Sequence, residues 1–193
     1  MKLSVERKEE NKAILQRDKD LIKDSLKGNT DSFAVLMSHY YNRVKYFGCR
    51  FFPNPADLED FIQEVFLKVF KNLSGFRGES SFATWITRIA FTTALNTKER
   101  TKDFAGIPEG MDFESGMDTP EEHQIKSLTR DAVNEAVKEL PEKYAVCLDL
   151  YFFHDMSHEE ISAITDFPIN TIKSHIFRAK KILRDKLKDF SSG

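Results

Sequence analysis

The residues with the most obvious chemical potential in this sequence form one short cluster: His154, Asp155, His158 and Glu159. Imidazole and carboxylate groups at close spacing can bind a metal ion such as zinc. Ser157 lies between the two histidines, however, and Glu160 follows it by three residues, which is the pattern of a helix capping box. A helix that begins there separates the histidines, so they do not share one helical face as metal ligands at this spacing would. We interpret the cluster as a polar turn between helices and expect no metal.

Other signs of catalysis are absent from the sequence. It contains no nucleophile elbow, phosphate-binding loop or paired-carboxylate arrangement. Its two cysteines, Cys49 and Cys147, are far apart and lie within apolar helical patterns, which favours buried free thiols over a disulfide or a zinc site. The sequence therefore predicts a protein that is not an enzyme and needs no cofactor.

Charge is distributed unevenly along the chain, although the net charge is only −2. Residues 103–122 contain seven acidic residues and no Lys or Arg, whereas residues 169–188 contain seven Lys or Arg and a single Asp. A basic segment attracts the phosphates of nucleic acids, and an acidic one repels them. We therefore expect nucleic-acid contacts near the C-terminus.

The elements that position these residues are predicted to be helices throughout, because apolar residues recur at intervals of three and four. A first helix is predicted over about 18–27 and a second over about 30–49. Asn54 and Pro55 give a third helix an N-cap and a proline in its first turn, and this helix runs to about Leu73. Its inner face is predicted to consist of seven apolar residues: Leu58, Phe61, Ile62, Val65, Phe66, Val69 and Phe70.

A loop rich in turn residues is predicted over 74–80, and Ser80 or Ser81 then caps a fourth helix. The inner stripe of this helix is predicted to contain five residues: Phe82, Trp85, Ile86, Ile89 and Thr93. Residues 103–119 lack periodicity and are rich in Gly, Pro and acids, so we predict a flexible acidic linker between two small domains.

The second domain is predicted to begin with a capping box at Thr119 and a helix that runs from Pro120 to Leu140. Another helix follows Pro141, and Ser157 with Glu160 opens a short one. After a turn over 165–168, Asn170 is predicted to cap a last helix. The residues of that helix predicted to face inward are Ile172, Ile176, Ala179 and Leu183. Two short helices around a tight turn, the second basic, form a helix-turn-helix pattern.

Three stretches together resemble regions 2 and 4 of the extracytoplasmic-function (ECF) sigma factors of the sigma-70 family. They are DLEDFIQEVFLKVF from Asp57, FRGESSFATWITRIAFTTALN from Phe76, and LPEKYAVCLDLYFFHDMSHEEISAITDFPINTIKSHIFRAKKILRDKL from Leu140. The resemblance implies an all-α protein that binds the RNA polymerase core and directs promoter-specific transcription by recognising −10 and −35 elements. It implies four segments: an N-terminal extension over 1–19, a region 2 domain over 20–102, the linker over 103–119 and a region 4 domain over 120–193.

The third helix carries an acidic and amide surface with one leucine on the side opposite its core stripe. A solvated face is one interpretation of such a surface. The resemblance implies instead that this helix docks on the coiled coil of the largest polymerase subunit. The residues expected to do so are Asp57, Asp60, Gln63, Glu64 and Leu67.

The loop that begins at Phe76 combines an aromatic ring with flexible, polar backbone, which suits an unpaired DNA base. Phe82 and Trp85 are better interpreted as core residues. The resemblance implies that the loop captures a base of the −10 element and that the next helix lines the melted strand. The expected contacts are Phe76, Arg77, Gly78, Glu79, Ser80, Ser81, Arg88, Thr92, Asn96, Lys98 and Arg100. Many members of the family have Asn where this chain has Thr92, so its −10 preference is expected to differ.

The last helix exposes basic residues on the side away from its predicted core stripe, where they can bind phosphates or guanine edges. A basic solvated face, with Phe177 folded into the core, is the alternative. The resemblance implies that this helix reads the −35 element. The expected contacts are Thr171, Lys173, Ser174, His175, Phe177, Arg178 and Lys181.

The resemblance also implies an anti-sigma factor as a partner. The charged N-terminus is unlike a signal peptide, and no run approaches the roughly 20 apolar residues of a membrane span. We therefore expect a cytoplasmic protein without membrane insertion. The main competing hypothesis is a stand-alone helix-turn-helix regulator, which would need neither the Phe76 loop nor the outer face of the third helix.

Overall fold

The computed structural model of the chain describes residues 2–100, 136–137 and 139–190. It divides the chain into two compact units, Met1–Ala105 and Gly106–Gly193. Every regular element in the described ranges is a helix, which confirms the all-α prediction. The predicted linker over 103–119 and the capping box at Thr119 lie outside the described residues.

The described part of the N-terminal unit contains four α-helices and one short 3₁₀ turn. These are α1 (Lys2–Leu26), α2 (Thr30–Cys49), α3 (Pro55–Asn72), the 3₁₀ turn (Leu73–Gly75) and α4 (Phe82–Arg100). Local side chains set the helix starts. The side-chain oxygen of Asn29 accepts a hydrogen bond from the Ser32 N–H at 3.0 Å, and that of Asn54 accepts one from the Ala56 N–H at 2.9 Å. Asn54 therefore caps α3 as predicted, with Pro55 in its first turn.

Helix α1 begins at Lys2 rather than near Asp18, so the predicted start of the first helix is wrong. The prediction relied on apolar periodicity, but a polar run without Gly or Pro can continue a helix as well. Asp18 itself is buried. It accepts a hydrogen bond from the Tyr40 hydroxyl of α2 and pairs with Arg17 at 2.8 Å. This polar contact joins α1 to α2, and burial together with Asp18 raises the pKa of Tyr40.

Aromatic rings fill the centre of the N-terminal unit. Phe47 of α2 lies 5.2 Å from Phe51 and 6.4 Å from Phe91 of α4, measured between ring centroids. Most of the predicted inner face of α3 is buried, but Phe70 is 57% exposed, so its place in the core is a wrong prediction. It lies at the edge of the stripe, one residue past buried Val69. There its ring meets Phe33, near the start of α2, edge-on at 5.0 Å.

The C-terminal unit contains α5 (Glu142–Phe152), α6 (His158–Thr165) and α7 (Ile169–Phe190). Ser157 and Glu160 form the predicted capping box at the start of α6. Asp166 ends α6 in the left-handed conformation with φ 59°, which Asp tolerates better than most residues. The predicted helix over 120–140 lies outside the described residues except at its end, where residues 136–137 are helical.

The start of α7 differs from the prediction. The N–H groups of Thr171 and Ile172 donate to the Pro168 carbonyl at 2.8 and 3.1 Å, so the helix begins at Ile169. Asn170 therefore lies inside the first turn, exposed, and does not cap the helix. Proline's fixed φ suits the residues that open a helix, and here Pro168 provides the first acceptor. The predicted core positions Ile172, Ile176 and Ala179 are buried.

Candidate nucleic-acid interface

The outer face of α3 presents a strip of acidic and amide side chains around one leucine. Asp57, Asp60 and Gln63 are exposed, and Leu67 is 52% exposed. Glu64 is half-buried, and its carboxylate lies 2.7 Å from the Lys68 ammonium. That ammonium also donates a hydrogen bond to the buried Thr93 hydroxyl of α4 at 3.1 Å. Lys68 therefore fixes the position of Glu64, while the rest of the strip remains open to a partner.

Phe76 anchors the loop between the 3₁₀ turn and α4. Its ring is half-buried, with its centroid 5.4 Å from that of Phe82 and 5.3 Å from that of Trp85. The next four residues, 77–80, are exposed, and Gly78 has φ 73°, which glycine adopts without strain. Ser81 caps α4, because its hydroxyl accepts a hydrogen bond from the Thr84 N–H at 3.0 Å. The loop thus has a fixed aromatic base and an exposed polar tip.

A shallow concave site of about 420 Å³, open to solvent, lies beside this loop. It combines an aromatic ring, an aliphatic side chain, an amide and an ammonium group. Its lining residues are Lys71, Asn72, Ser74, Gly75, Trp85 and Ile89. Sequence reasoning placed Trp85 and Ile89 in the core, but both are only half-buried. The site was missed because it is assembled from the end of α3, the 3₁₀ turn and α4, and no local pattern reveals it.

The predicted strand-lining residues of α4 share an exposed side as far as the structure describes them. Arg88, Thr92 and Asn96 are spaced by four residues and are all exposed. The Thr92 hydroxyl donates within its own helix, to the carbonyls of Arg88 and Ile89 at 3.0 and 3.1 Å. While the hydroxyl makes these bonds, its oxygen offers DNA an acceptor alone, whereas the amide of an asparagine offers a donor and an acceptor. The side chains of Lys98 and Arg100 lie outside the described part of α4.

Most of the predicted contacts on α7 are accessible. Lys173, Arg178 and Lys181 are exposed, and Phe177 is 68% exposed. An exposed Phe177 argues against the alternative in which it folds into the core. Thr171 and Ser174 are half-buried. A depression of about 340 Å³ lies on the first turns of this helix, lined by Asn170, Thr171, Ser174, His175 and Arg178.

His175 is the residue on α7 that departs most from its predicted position. It is half-buried, with Nδ1 3.7 Å from the Cys147 sulfur and its ring 5.0 Å from that of Tyr144 and 5.4 Å from that of Phe167. The residue stands beside Ile176 and four positions before Ala179, so it borders the buried stripe. The histidine therefore contributes to the inner support of α7 as well as to the wall of the depression.

Both thiols are buried, as predicted, and neither forms a disulfide. Burial raises the pKa of Cys147 to about 11. It also raises the pKa of Cys49. Both side chains are protonated at neutral pH and have little of the thiolate character that reactivity requires.

The histidines of the 154–159 segment face different neighbours. His154 is buried, with Nε2 3.6 Å from the Asp149 carboxylate, whereas His158 stacks on the Tyr151 ring at 5.1 Å. Within the described ranges, no three His, Cys, Asp or Glu side chains come together in a way that could hold a metal ion. The segment is a polar connection between α5 and α6.

Partial burial lowers the pKa of His175, and the nearby Arg178 and Lys143 lower it further. An unfolded histidine titrates near pH 6.5. The unfolded chain therefore binds a proton at His175 more readily than the folded chain does. The contribution of neutral His175 to folding stability is complete above about pH 6.5 and declines as the pH falls towards the pKa of the folded state. We expect an NMR titration of the full chain to give His175 a midpoint below that of the urea-unfolded chain. His175→Gln, which identifies the signal, should also reduce the acid sensitivity of unfolding. A folded midpoint equal to or above the unfolded one would contradict this prediction.

The structure thus has two helical units, one with an acidic strip and an aromatic-based loop and the other with a basic, exposed helix face. These are the features expected of a class of DNA-binding transcription proteins that also have a protein partner. The family model described as Sigma-70 region 2 matches residues 36–103, and the one described as Sigma-70, region 4 matches residues 130–183. The ECF RNA polymerase sigma-E factor of Escherichia coli (strain K12) is 33% identical, over 88% of this chain and 94% of that protein. The ECF RNA polymerase sigma-E factor of Haemophilus influenzae is 32% identical, over 88% of this chain and 95% of that protein.

Solved structures show the same fold at lower identity. CnrH, in complex with the cytosolic domain of CnrY, matches with a TM-score of 0.65 and 18% identity, over 90% of this chain and 98% of that one. The sigma factor RpoE of Bartonella quintana, in complex with the anti-sigma factor NepR, matches with a TM-score of 0.62 and 19% identity, over 81% and 96%.

The chain belongs to the sigma-70 family, within its ECF group of RNA polymerase sigma factors. It is a transcription initiation factor and not an enzyme. It binds the RNA polymerase core and directs transcription from specific promoters through their −10 and −35 elements. In the described part of the chain, no helix has the length and apolar character that a membrane span needs.

Proposed function

We propose that three surfaces of this chain each make one of the contacts needed for transcription initiation. The outer face of α3 binds the coiled coil of the largest polymerase subunit, the Phe76 loop with α4 holds the unpaired −10 strand, and α7 reads the −35 duplex. The observation that carries this proposal is the concave site beside the Phe76 loop. A stand-alone regulator of duplex operators has no use for a turn-rich loop with an aromatic base and an open hollow beside it that could receive an unpaired base.

The polymerase surface comprises Asp57, Asp60, Gln63, Glu64 and Leu67. An exposed leucine within an acidic strip is the arrangement of a docking surface, because apolar contact supplies affinity and the charges steer association. The ion pair between Glu64 and Lys68 supports this role, since it holds one carboxylate of the strip in place before the partner arrives.

The −10 surface comprises the loop 76–81 and the α4 residues Arg88, Thr92, Asn96, Lys98 and Arg100. A flipped base can stack on an aromatic wall while amide and hydroxyl groups bind its edge. Trp85 supplies such a wall in the concave site, with Asn72 and Ser74 beside it. Lys71 can pair with the adjoining phosphate.

The −35 surface comprises Thr171, Lys173, Ser174, His175, Phe177, Arg178 and Lys181. The exposed Lys and Arg side chains can bind phosphates or guanine edges, and Phe177 can contact a thymine methyl in the major groove. Because His175 is turned partly inward, we assign it a supporting contact and leave the stronger base contacts to Arg178.

The decisive experiment combines the purified chain with core polymerase and a random-sequence DNA library. The complex should co-purify, and the selected DNA should contain two elements and support transcription in vitro. A chain that binds duplex DNA alone and never joins polymerase would refute the proposal in favour of the stand-alone regulator.

We expect Leu67→Glu to weaken binding to core polymerase by at least about tenfold, because it places a charge in the apolar centre of the proposed contact. Leu26→Glu is the matched control, since Leu26 is also 52% exposed but lies on α1. Binding is measured by competition with the unmodified chain for limiting polymerase, and thermal melting checks the fold of each variant. Equal losses for the two variants would argue against a specific contact at Leu67.

We further propose that the chain works in the cytoplasm, where polymerase and chromosomal DNA are found, and that an anti-sigma factor regulates it. The open polymerase and DNA surfaces support the second proposal, since a protein covering either one would block initiation. Cell fractionation tests the location. Affinity purification from uninduced cells, with Leu67→Glu as comparison, tests for a partner that competes with polymerase.

A further inference from the structure

We propose that Tyr144 of α5 is a positioning residue for promoter recognition, because it holds the Arg178 guanidinium in place on α7. The inference rests on the proposed role of α7 in reading the −35 element. Tyr144 lies outside the helix-turn-helix, on α5, which packs against α7. It is not one of the predicted DNA contacts.

The geometry places the two halves of the tyrosine in different environments. Its ring packs against the buried cluster formed by Leu140, Ala145, Leu148 and Ala179. Its hydroxyl accepts a hydrogen bond from Arg178 Nη1 at 3.1 Å. The packed ring makes the hydroxyl a fixed acceptor, whereas Arg178 is an exposed side chain with several rotatable bonds.

A single fixed acceptor has a defined effect on such a side chain. An arginine that binds DNA must lose rotamer freedom, and a contact made before binding removes part of that loss. The guanidinium has five N–H donors in a planar fork, so the bond to Tyr144 leaves others for a phosphate or a base. Tyr144 thus orients the guanidinium and leaves most of its N–H donors available to DNA.

The same ring also supports the neighbouring turn of α7. Its centroid lies 5.0 Å from that of His175, one turn before Arg178, and both α7 residues line the depression on that helix. Tyr144 therefore contacts two residues that line the depression: its ring packs against His175, and its hydroxyl binds Arg178. Removal of the hydroxyl alone should affect Arg178 and leave the His175 contact intact.

The test is a double-mutant cycle with Tyr144→Phe and Arg178→Ala, carried out in the reconstituted holoenzyme on a promoter that the holoenzyme has itself selected. Tyr144→Phe should weaken promoter binding by about three- to tenfold, the range for one ordinary hydrogen bond, because the exposed Arg178 side chain can also bind water. In the Arg178→Ala background the same change should have almost no effect. Neither substitution should matter on a template whose −35 element has been replaced.

Tyr151→Phe is the matched control, because it makes the same chemical change on the same helix. The Tyr151 ring contacts Phe152 and His158, away from Arg178. The Tyr151→Phe variant should bind the promoter as well as the unmodified chain does, and thermal melting should show that all variants are folded. Equal losses from Tyr144→Phe with and without Arg178 would overturn the proposal by showing a purely structural effect.

The outcomes separate this inference from the function on which it rests. If Arg178→Ala weakens binding in a −35-dependent way but Tyr144→Phe does not, Tyr144 has no positioning role and the inference fails alone. If neither substitution affects −35-dependent binding, the assignment of the −35 surface to this part of α7 fails as well.

Discussion

Gly48→Ala is expected to destabilise the N-terminal unit and to weaken polymerase binding together. A Cβ atom at Gly48 would lie 2.6 Å from two ring atoms of Phe61 and 2.8 Å from a methyl carbon of Leu58. Phe61 cannot retreat easily, because it is buried and stacks on Phe52 at 4.7 Å. The collision must therefore be relieved by movement of α3, the proposed polymerase-binding helix.

Two opposing contributions to the free energy of unfolding decide whether Gly48→Ala stabilises or destabilises the protein. Alanine favours a helix over glycine by about 1 kcal/mol, whereas overpacking a core costs about 1–3 kcal/mol and occasionally more. With contacts as short as these, we expect a net loss of about 2 kcal/mol in the free energy of unfolding, measured by urea denaturation. Gly75→Ala is the matched control, since nothing lies within 4 Å of its added Cβ. An unchanged Gly48→Ala variant would show that α2 and α3 approach less closely than described.

An unpaired −10 strand is expected to quench the fluorescence of the chain when it binds. The sequence contains one tryptophan, and this residue, Trp85, lines the concave site. An oligonucleotide carrying the −10 strand of a selected promoter should therefore report directly on that site. Phe76→Ala should weaken its binding by about tenfold, because the Phe76 ring packs against Trp85 at 5.3 Å and stacking on a well-placed aromatic side chain contributes about 1–3 kcal/mol per base.

Two comparisons make the fluorescence experiment specific. A scrambled oligonucleotide should bind more weakly, and Phe153→Ala, which removes an exposed ring from the C-terminal unit, should not affect binding. Quenching that is identical for both oligonucleotides and insensitive to Phe76 would show that the bases bind elsewhere.

Local patterns in the sequence predicted the elements well because the controlling residues are close in sequence. Asn54 and Pro55 mark the start of α3, and Ser157 with Glu160 marks α6 through two short-range hydrogen bonds. The family motifs also indicate which helices are expected to face polymerase and DNA, and these assignments stay predictions. These signals need only a few neighbouring residues, and a single sequence contains them.

The parts that could not be predicted depend on packing between elements. The extension of α1 to Lys2 has no apolar periodicity to mark it, and Pro168 rather than Asn170 provides the first acceptor of α7. The inward turn of His175 requires knowledge of how α5 packs behind α7. The concave site and the bond from Arg178 to Tyr144 join residues from separate helices, so neither leaves a local signature.

The buried state of both cysteines makes the native chain a suitable background for spectroscopic labelling. Because Cys49 and Cys147 are shielded and protonated at neutral pH, a maleimide dye should react first with a thiol introduced at an exposed position. Ser38 of α2 and Glu159 of α6 are exposed, lie outside the proposed polymerase and DNA surfaces, and offer such positions. Energy transfer between dyes at these two sites would follow the separation of the units as polymerase and promoter bind, without first removing the native thiols.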